Sequence, residues 1–500
     1  MSNEAPGRDQ PEVKSFEVAE GDTFGDLLSS NHIEAGKPLK IGLLWTGFFE
    51  FWSMYPSLKG QVEQDAAVVR ERLSREHEIV DSGLVDTMDA ADAAGRRFRD
   101  EQIDVLILAY RTYVPDMYIH QLLSHLPGVP MLMFGSQCRD KFDYADDYGG
   151  ALRNSGLMAL VQLVCGFKKM KGGPRQIEAV AGSIHDEEAY RKIDRWIDVV
   201  TLYTRLKTMT FGVVGHVFRG MFDFEYDKTK VKGALGPEVL NIQIEHLMAT
   251  WEGAGPDDPD VRAMIAHARR AYVIDGVGEG DLLSAARAAV ALRRLVERFR
   301  LDGVALLCQH FIERRLRTTP YLGLAELHRA GFPAVAEGDV IGLIMMKILR
   351  HLSGNMPFFL EWSEFDVERN AWLLLGHGFG DPGQARGNMV KLTPTAEQWG
   401  LEGTGCSTLF VPRPGPCTMA HFAEHADGWR MFISAGEFLD LDPLPINDAH
   451  ALVRVDAPIR EFTERLIMAG EPHHAITVRG DVRRELAQLA GLLDMPVVTV

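Results

Sequence analysis

The chain is poor in the features that announce the commonest functions. It has five cysteines in 500 residues (Cys138, Cys165, Cys308, Cys406 and Cys417), unevenly spaced and never as CxxC. That pattern supports neither a disulfide framework nor a thiolate zinc cage, and it fits a reducing compartment. Cationic charge is also short, with 53 Lys and Arg against 70 Asp and Glu and a net charge of −17. Such a surface repels a phosphate backbone or an anionic membrane, so neither nucleic acid nor a membrane is an expected partner. No apolar stretch reaches the roughly 18 residues of a membrane span. The opening "MSNEAPGRDQPEVKSFEVAEGDTF" is acidic where a signal peptide is basic and then apolar. The expectation is a cytoplasmic protein with a loose lead-in over 1–38.

Nucleotide and hydrolase motifs are missing too. "GVGEGD" (276–281) is glycine-rich, but it lacks both the GxGxxG pattern and the Walker lysine. It also places carboxylates where an anion would sit, and so reads as a loop. No GxSxG elbow is present. Repeats and low-complexity tracts are absent.

What the chain does have is 46% hydrophobic and 25% charged residues, the balance of a globular protein long enough for two or three domains. The runs "KIGLLW" (40–45), "EIVDSGLV" (78–85), "DVLILAY" (104–110) and "VPMLMF" (129–134) have the length and apolarity of buried parallel strands. Segments of helical period separate them. The alternation continues through "IEAVAGS" (177–183), "TFGVVG" (210–215), the helical "DLLSAARAAVALRRLVERFR" (281–300) and "GVALLC" (303–308). After about residue 350 the texture changes to short strand-like runs cut by Gly and Pro. A final helix is expected with Val482, Leu486, Leu489 and Leu493 on one face. The expected fold class is α/β, with doubly wound domains over 1–205 and 206–350 and a β-rich C-terminal domain over 351–500.

Carboxylates and histidines then stand out by position. "AVAEGDVIG" puts Glu337 and Asp339 around a glycine at a strand-to-helix turn, where α/β domains bind ligands. "PFFLEW" puts Glu361 directly behind three large apolar residues, and "LLLGHGFGD" runs an apolar strand into His377 between glycines. "EPHHAITV" adds His473 and His474. Each alone reads as a surface carboxylate or a loop histidine. Together, two glutamates and two histidines make a ligand set for a hard-to-borderline divalent ion such as Mn²⁺.

The order "AEGD", "FLE", then "GH" sixteen residues on (377 − 361) and "HH" near the C-terminus resembles the L-arabinose/L-fucose isomerase family. The likeness extends through "KIGLLWTGFFEFWSMYP", "MLMFGSQ", "FRGMFDFEYD" and "LGLAELHRAGFPAVAEGD". It implies metal ligands at Glu337, Glu361, His377 and His474 with Mn²⁺ as the usual ion, and Glu337 and Glu361 as the acid/base pair. It further implies substrate contacts at Gln137, Met221, His310 and His473, and a homo-oligomer, trimer or hexamer. The implied reaction is aldose–ketose isomerisation of a small-molecule sugar through an ene-diolate.

One departure concerns the substrate. "TGFFEFWSMYP" is bulkier and more aromatic than the matching stretch of the arabinose enzymes, which argues against L-arabinose itself. "CQHFIERRLRTTPY" is unusually basic, and Arg314, Arg315 or Arg317 could recognise a phosphate or sulfonate on the sugar. A sugar-binding protein without catalysis and a metal-dependent hydrolase are the alternatives.

Overall fold

A computed structural model describes residues 39–500 apart from 172, 173, 175, 310, 389 and 399. The lead-in over 1–38 and His310 therefore lie outside the described residues. The first five strands are β1 (Lys40–Thr46), β2 (Glu78–Val85), β3 (Val105–Leu108), β4 (Met131–Gln137) and β5 (Ile177–Ser183). They form one parallel sheet in the order β2-β1-β3-β4-β5. The apolar runs are unbroken because both faces are covered. Ile41, Leu43, Val105, Ile107, Leu132 and Phe134 pack on the face that carries helices 58–73 and 187–206. The alternate residues Leu44, Leu106, Leu108, Met131 and Met133 pack on the face that carries helices 88–100, 116–123 and 156–169.

The second sheet is also parallel. Its strands are β6 (Thr210–Val214), β7 (Glu238–Ile242), β9 (Gly303–Leu306) and β10 (Ala334–Val335), in the order β10-β9-β6-β7; the short β8 (Val273–Ile274) lies elsewhere. The chain leaves β6 toward β7 on one side, and β9 and β10 lie on the other. The crevice beyond the strand C-termini between β6 and β9 is therefore a topological switch point, where ligands bind. Between β7 and β9 the chain forms helices 244–253, 259–271 and 279–299. "GVGEGD" lies in the loop and first turn at the start of the last of these.

From residue 358 on, the chain is strand-rich. β11 (Phe358–Asp366), β12 (Ala371–Gly376), β17 (Gly415–His425), β18 (Gly428–Phe438), β19 (His450–Arg454) and β20 (His474–Arg479) pair antiparallel in a ring. Because β17 pairs with both β18 and β20, the ring closes and these six strands make a barrel with no free edge. β13 (Lys391–Pro394) and β16 (Cys406–Leu409) extend β8, and β14 (Glu397–Gln398) pairs with β15 (Leu401–Glu402). The C-terminal helix spans Arg483–Leu492 and buries Leu486 and Leu489, with Val482 and Leu493 at its two caps. It does not close the chain. β21 (Val497–Thr499) follows it and pairs parallel with β18, as the β-branched run "VVTV" favours. Helix 340–353 packs under the barrel against β17 and β20 and against β9 of the second sheet. One apolar cluster thus runs from the first sheet through the second and into the barrel.

Candidate metal centre

Glu337 lies two residues beyond β10, at the crevice of the second sheet. Its backbone is left-handed (φ 59°), as is that of Gly338 (φ 74°). Two successive left-handed residues turn the chain sharply from strand to helix, at a conformational cost for the glutamate of about 1–3 kcal/mol. Glycine at 338 is required twice over: a Cβ there would sit 2.5 Å from the His216 carbonyl oxygen. The Phe218 amide donates to the Glu337 carbonyl at 2.8 Å, so the loop after β6 is tied to this turn. Gly338→Ala is expected to displace the Glu337 carboxylate and weaken Mn²⁺ binding at least tenfold, which titration of the Mn²⁺ EPR signal would read.

The barrel supplies the facing residues through its register. Glu361 on β11 is the direct cross-strand partner of His474 on β20, so the two side chains share a face. β12 pairs with the other side of β11 and ends at Gly376, which leaves His377 just past the strand. Phe359, two residues before Glu361 and hence on the same face, lays its ring against His474 (4.3 Å) and His377 (5.3 Å). Phe224 stacks on the His474 ring at 4.9 Å. Phe359 and Phe224 thus form the wall that holds the imidazoles.

One ligand atom from each of Glu337, Glu361, His377 and His474 lies within 4.8 Å of all the others. His377 Nε2 is 2.6 Å from Glu361 Oε1, and His474 Nε2 is 3.5 Å from Glu337 Oε2 and 3.9 Å from Glu361 Oε1. Glu337 Oε2 and His474 Nε2 are buried and make no hydrogen bond among the described residues, and buried His377 Nε2 meets only the Glu361 carboxylate. Buried polar atoms that converge so incompletely partnered are costly unless something else satisfies them. A divalent cation taking carboxylate oxygen and imidazole nitrogen fits this donor set.

The electrostatics agree. Burial pushes the Glu361 carboxyl up, but the contact with His377 and the charges of the neighbouring histidines outweigh it and hold Glu361 down at about 2. Glu337 is lowered for the same reason, with His474 and His377 overcoming burial. Burial depresses His377, yet Glu361 and Glu337 together raise it to about 9. A carboxylate pair this close needs positive charge between its members.

Beneath the ligands, Asp339 performs two tasks. Its Oδ1 accepts from the Gly342 amide at 2.8 Å and caps helix 340–353. Its Oδ2 lies 2.9 Å from His474 Nδ1 and 3.3 Å from His421 Nε2. A carboxylate on Nδ1 leaves Nε2 free to serve as the ligand nitrogen. Asp339→Asn is expected to keep the cap, since Asn caps as well as Asp, and to lower Mn²⁺ affinity about 10- to 100-fold. A melting temperature near wild type beside a weakened EPR titration would show this. His421 also bonds the Phe422 carbonyl at 2.7 Å through Nδ1.

Glu471 lies close enough to feel the His421 charge, and its Oε2 is buried without a partner. Burial raises its carboxyl from 4.5 to about 7, with His421 only partly opposing. The folded state then holds a proton that the unfolded chain has released above pH 4.5. The stability from this group is present in full below that pH and lost as pH rises through about 7. Glu471→Gln is expected to flatten the fall in melting temperature between pH 5 and 8.

The remaining positions separate. His473 binds Asp223 through Nδ1 (2.6 Å) and its amide (3.1 Å), beside His474 and in ring contact with Phe224. Met221 is half-buried against Phe218 and Phe224 of its own loop and against Leu307, just past β9. Gln137 is exposed at the end of β4 in the first sheet. Arg314 is exposed and paired with Glu402 at 2.6 Å, and Arg315 is exposed with its guanidinium 5.8 Å from the Phe311 ring centre. None of these last three has a described contact with the four ligands. Reading the sequence missed Gln309, which follows β9 and donates to Glu337 Oε1 at 2.7 Å. It also missed His421 and Asp223, whose only signal was an isolated charged or polar side chain in a strand or loop.

The protein is thus an α/β protein with a carboxylate–imidazole cluster able to hold a metal ion in the crevice between a parallel sheet and a β-barrel. No family model matches the chain. It is 23% identical over 318 residues to a sulfoquinovose isomerase of Priestia aryabhattai, covering 63% of this chain and 70% of that one. It is 21% identical over 352 residues to an L-arabinose isomerase of Klebsiella pneumoniae subsp. pneumoniae and 23% over 350 to one of Aeromonas hydrophila, covering 65% of this chain and 67% of theirs in each case. These relatives support an L-arabinose/L-fucose isomerase-like family for the chain.

Proposed function

We propose that this protein is a divalent-cation-dependent aldose–ketose isomerase acting on a sugar with an anionic substituent. The observation that carries the reading is the convergence of one ligand atom from each of Glu337, Glu361, His377 and His474 within 4.8 Å, with Glu337 Oε2 and His474 Nε2 buried and without a hydrogen-bond partner among the described residues. The named relatives are sugar isomerases, and one carries a sulfo-sugar in its name, which favours a sulfonate or phosphate over a neutral sugar.

Isomerisation removes a proton from C2 and delivers one to C1 while O1 and O2 exchange carbonyl and hydroxyl roles. Glu337, Glu361, His377 and His474 would hold the ion, with Mn²⁺ the expected one. When bound, it supplies positive charge opposite the developing ene-diolate. Glu337 and Glu361 are the proposed acid/base pair, one taking the carbon-bound proton and the other shuttling the hydroxyl proton. Glu337 is steadied for this by Gln309 on its other oxygen. His473, locked by Asp223, would present its remaining ring nitrogen to a sugar hydroxyl. Phe224 and Phe359 exclude water from the His474 face. Met221, His310 and Gln137 are further proposed substrate contacts, the last reaching a site only in a homo-oligomer.

The test is NMR in D₂O of Mn²⁺-loaded protein with neutral and anionic aldoses. Ketose formation with deuterium at the reacting carbon, lost on chelation, is the expected result. Bound metal with no exchange in any sugar would overturn the isomerase reading, and hydrolysis without exchange would replace it with water activation.

A further inference from the structure

Beside the metal centre, the same crevice has a second half. A cleft of about 500 Å³ opens at the C-terminal ends of β6 and β7, lined by His216, Arg219, Glu225, Tyr226, Lys228 and Asn241 among others. The loop that forms it is the one tied to Glu337 through the Phe218 amide and to His474 through Phe224. Two cations in this cleft, Arg219 and Lys228, have no ion-pair partner among the described residues. The lysines that follow are engaged: Lys230 pairs with Glu424, and Lys232 with Glu238 at 3.5 Å. His216 donates from Nδ1 to the Val217 carbonyl (2.6 Å), which leaves Nε2 to face the cleft as an acceptor when the ring is neutral. Glu225 is the one carboxylate lining the cleft among the described residues. In a chain of net charge −17, two unpaired cations in a concave site are a local exception to a repulsive field.

We infer that this cleft is the subsite for the anionic end of the substrate, a phosphate or sulfonate held by Arg219 and Lys228. The inference rests on the sugar-isomerase reading of the metal centre and gives that site its specificity. Strand order sets the scale. β6 is two strands from β10 in the sheet, so the loop after β6 lies roughly 10 Å along the edge from Glu337, taking about 4.8 Å per strand. A six-carbon aldose with bonds of about 1.5 Å and a terminal tetrahedral anion has that reach. Its carbonyl end can lie at the carboxylates while its charged end enters the cleft. Arg219 offers a planar fork of donors to two anion oxygens and Lys228 a point charge. Arg314, exposed and already paired with Glu402, lacks this setting.

The probes are inorganic phosphate and D-glucose 6-phosphate, added to the full chain with Mn²⁺ bound. Paramagnetic relaxation of the ³¹P signal reports the metal–phosphorus distance, and it needs no turnover, so it stands even if the isomerase reading fails. The glucose 6-phosphate phosphorus is expected two to three strand spacings from the ion. Arg219→Gln with Lys228→Gln should weaken its binding at least tenfold while leaving the Mn²⁺ EPR titration unchanged, whereas Arg314→Gln with Arg315→Gln should leave it within twofold. A phosphorus coordinated directly to the ion, no relaxation with either probe, or a loss that follows the 314/315 variant instead would overturn the assignment.

Discussion

Glu361→Gln and Glu337→Gln are each expected to reduce turnover by at least three orders of magnitude. A general acid or base contributes about 10²–10⁴, and each of these residues is also a candidate ligand. The amide keeps the shape and one oxygen but removes the negative charge that raises His377 and balances the ion. The two variants are expected to differ in their side effects. Glu337 stands on a left-handed turn and receives Gln309, so its amide can flip to avoid placing NH₂ against NH₂. Glu361, on a barrel strand and one-third exposed, instead loses the charge in its 2.6 Å contact with His377, so its amide variant should also lower the pKa of His377. Single-turnover kinetics at saturating Mn²⁺ separates lost chemistry from lost metal. Near-normal activity in either variant would remove that glutamate from the acid/base role.

Removing the metal is expected to give the second-largest effect. Without an ion, two carboxylates face each other across a buried space with Glu337 Oε2 and His474 Nε2 unsatisfied. A cation that binds only the folded state stabilises it by about 2.7 kcal/mol at a hundred times its Kd. EDTA should therefore lower the melting temperature, and added Mn²⁺ should raise it in a concentration-dependent way. His377→Gln should abolish most of that dependence while leaving Asp339, His474 and helix 340–353 in place, since His377 takes no part in their hydrogen bonds. A melting temperature indifferent to Mn²⁺ in the wild-type chain would contradict the metal centre itself.

How much of this was legible beforehand varies with the range of the interaction. The strands of the first sheet and the helices flanking them follow from local runs of apolar residues, because a strand covered on both faces must be apolar throughout. The strand-to-helix turn at Glu337 was visible from "AVAEGD", where a glycine and a capping aspartate punctuate the change of period. That Asp339 also orients His474, 135 residues away, was not, since no local pattern records a partner at that distance. The terminal β21 was overlooked because three residues are too few to show a period and its pairing partner lies far upstream in β18.

The sequence by itself determined the longer elements, their order and the short list of carboxylates and imidazoles able to hold a divalent ion, because backbone periodicity and side-chain chemistry are local properties. Only the tertiary structure decided which of them meet. The register of β11 against β20 sets Glu361 opposite His474, and barrel closure brings that pair over the crevice of a separate sheet at Glu337. It also decided that Arg314 is paired with Glu402, while Arg219 and Lys228 line a cleft with no ion-pair partner among the described residues. Charge in a sequence is only a count, and its effect depends on which opposite charges the fold places within a few ångströms.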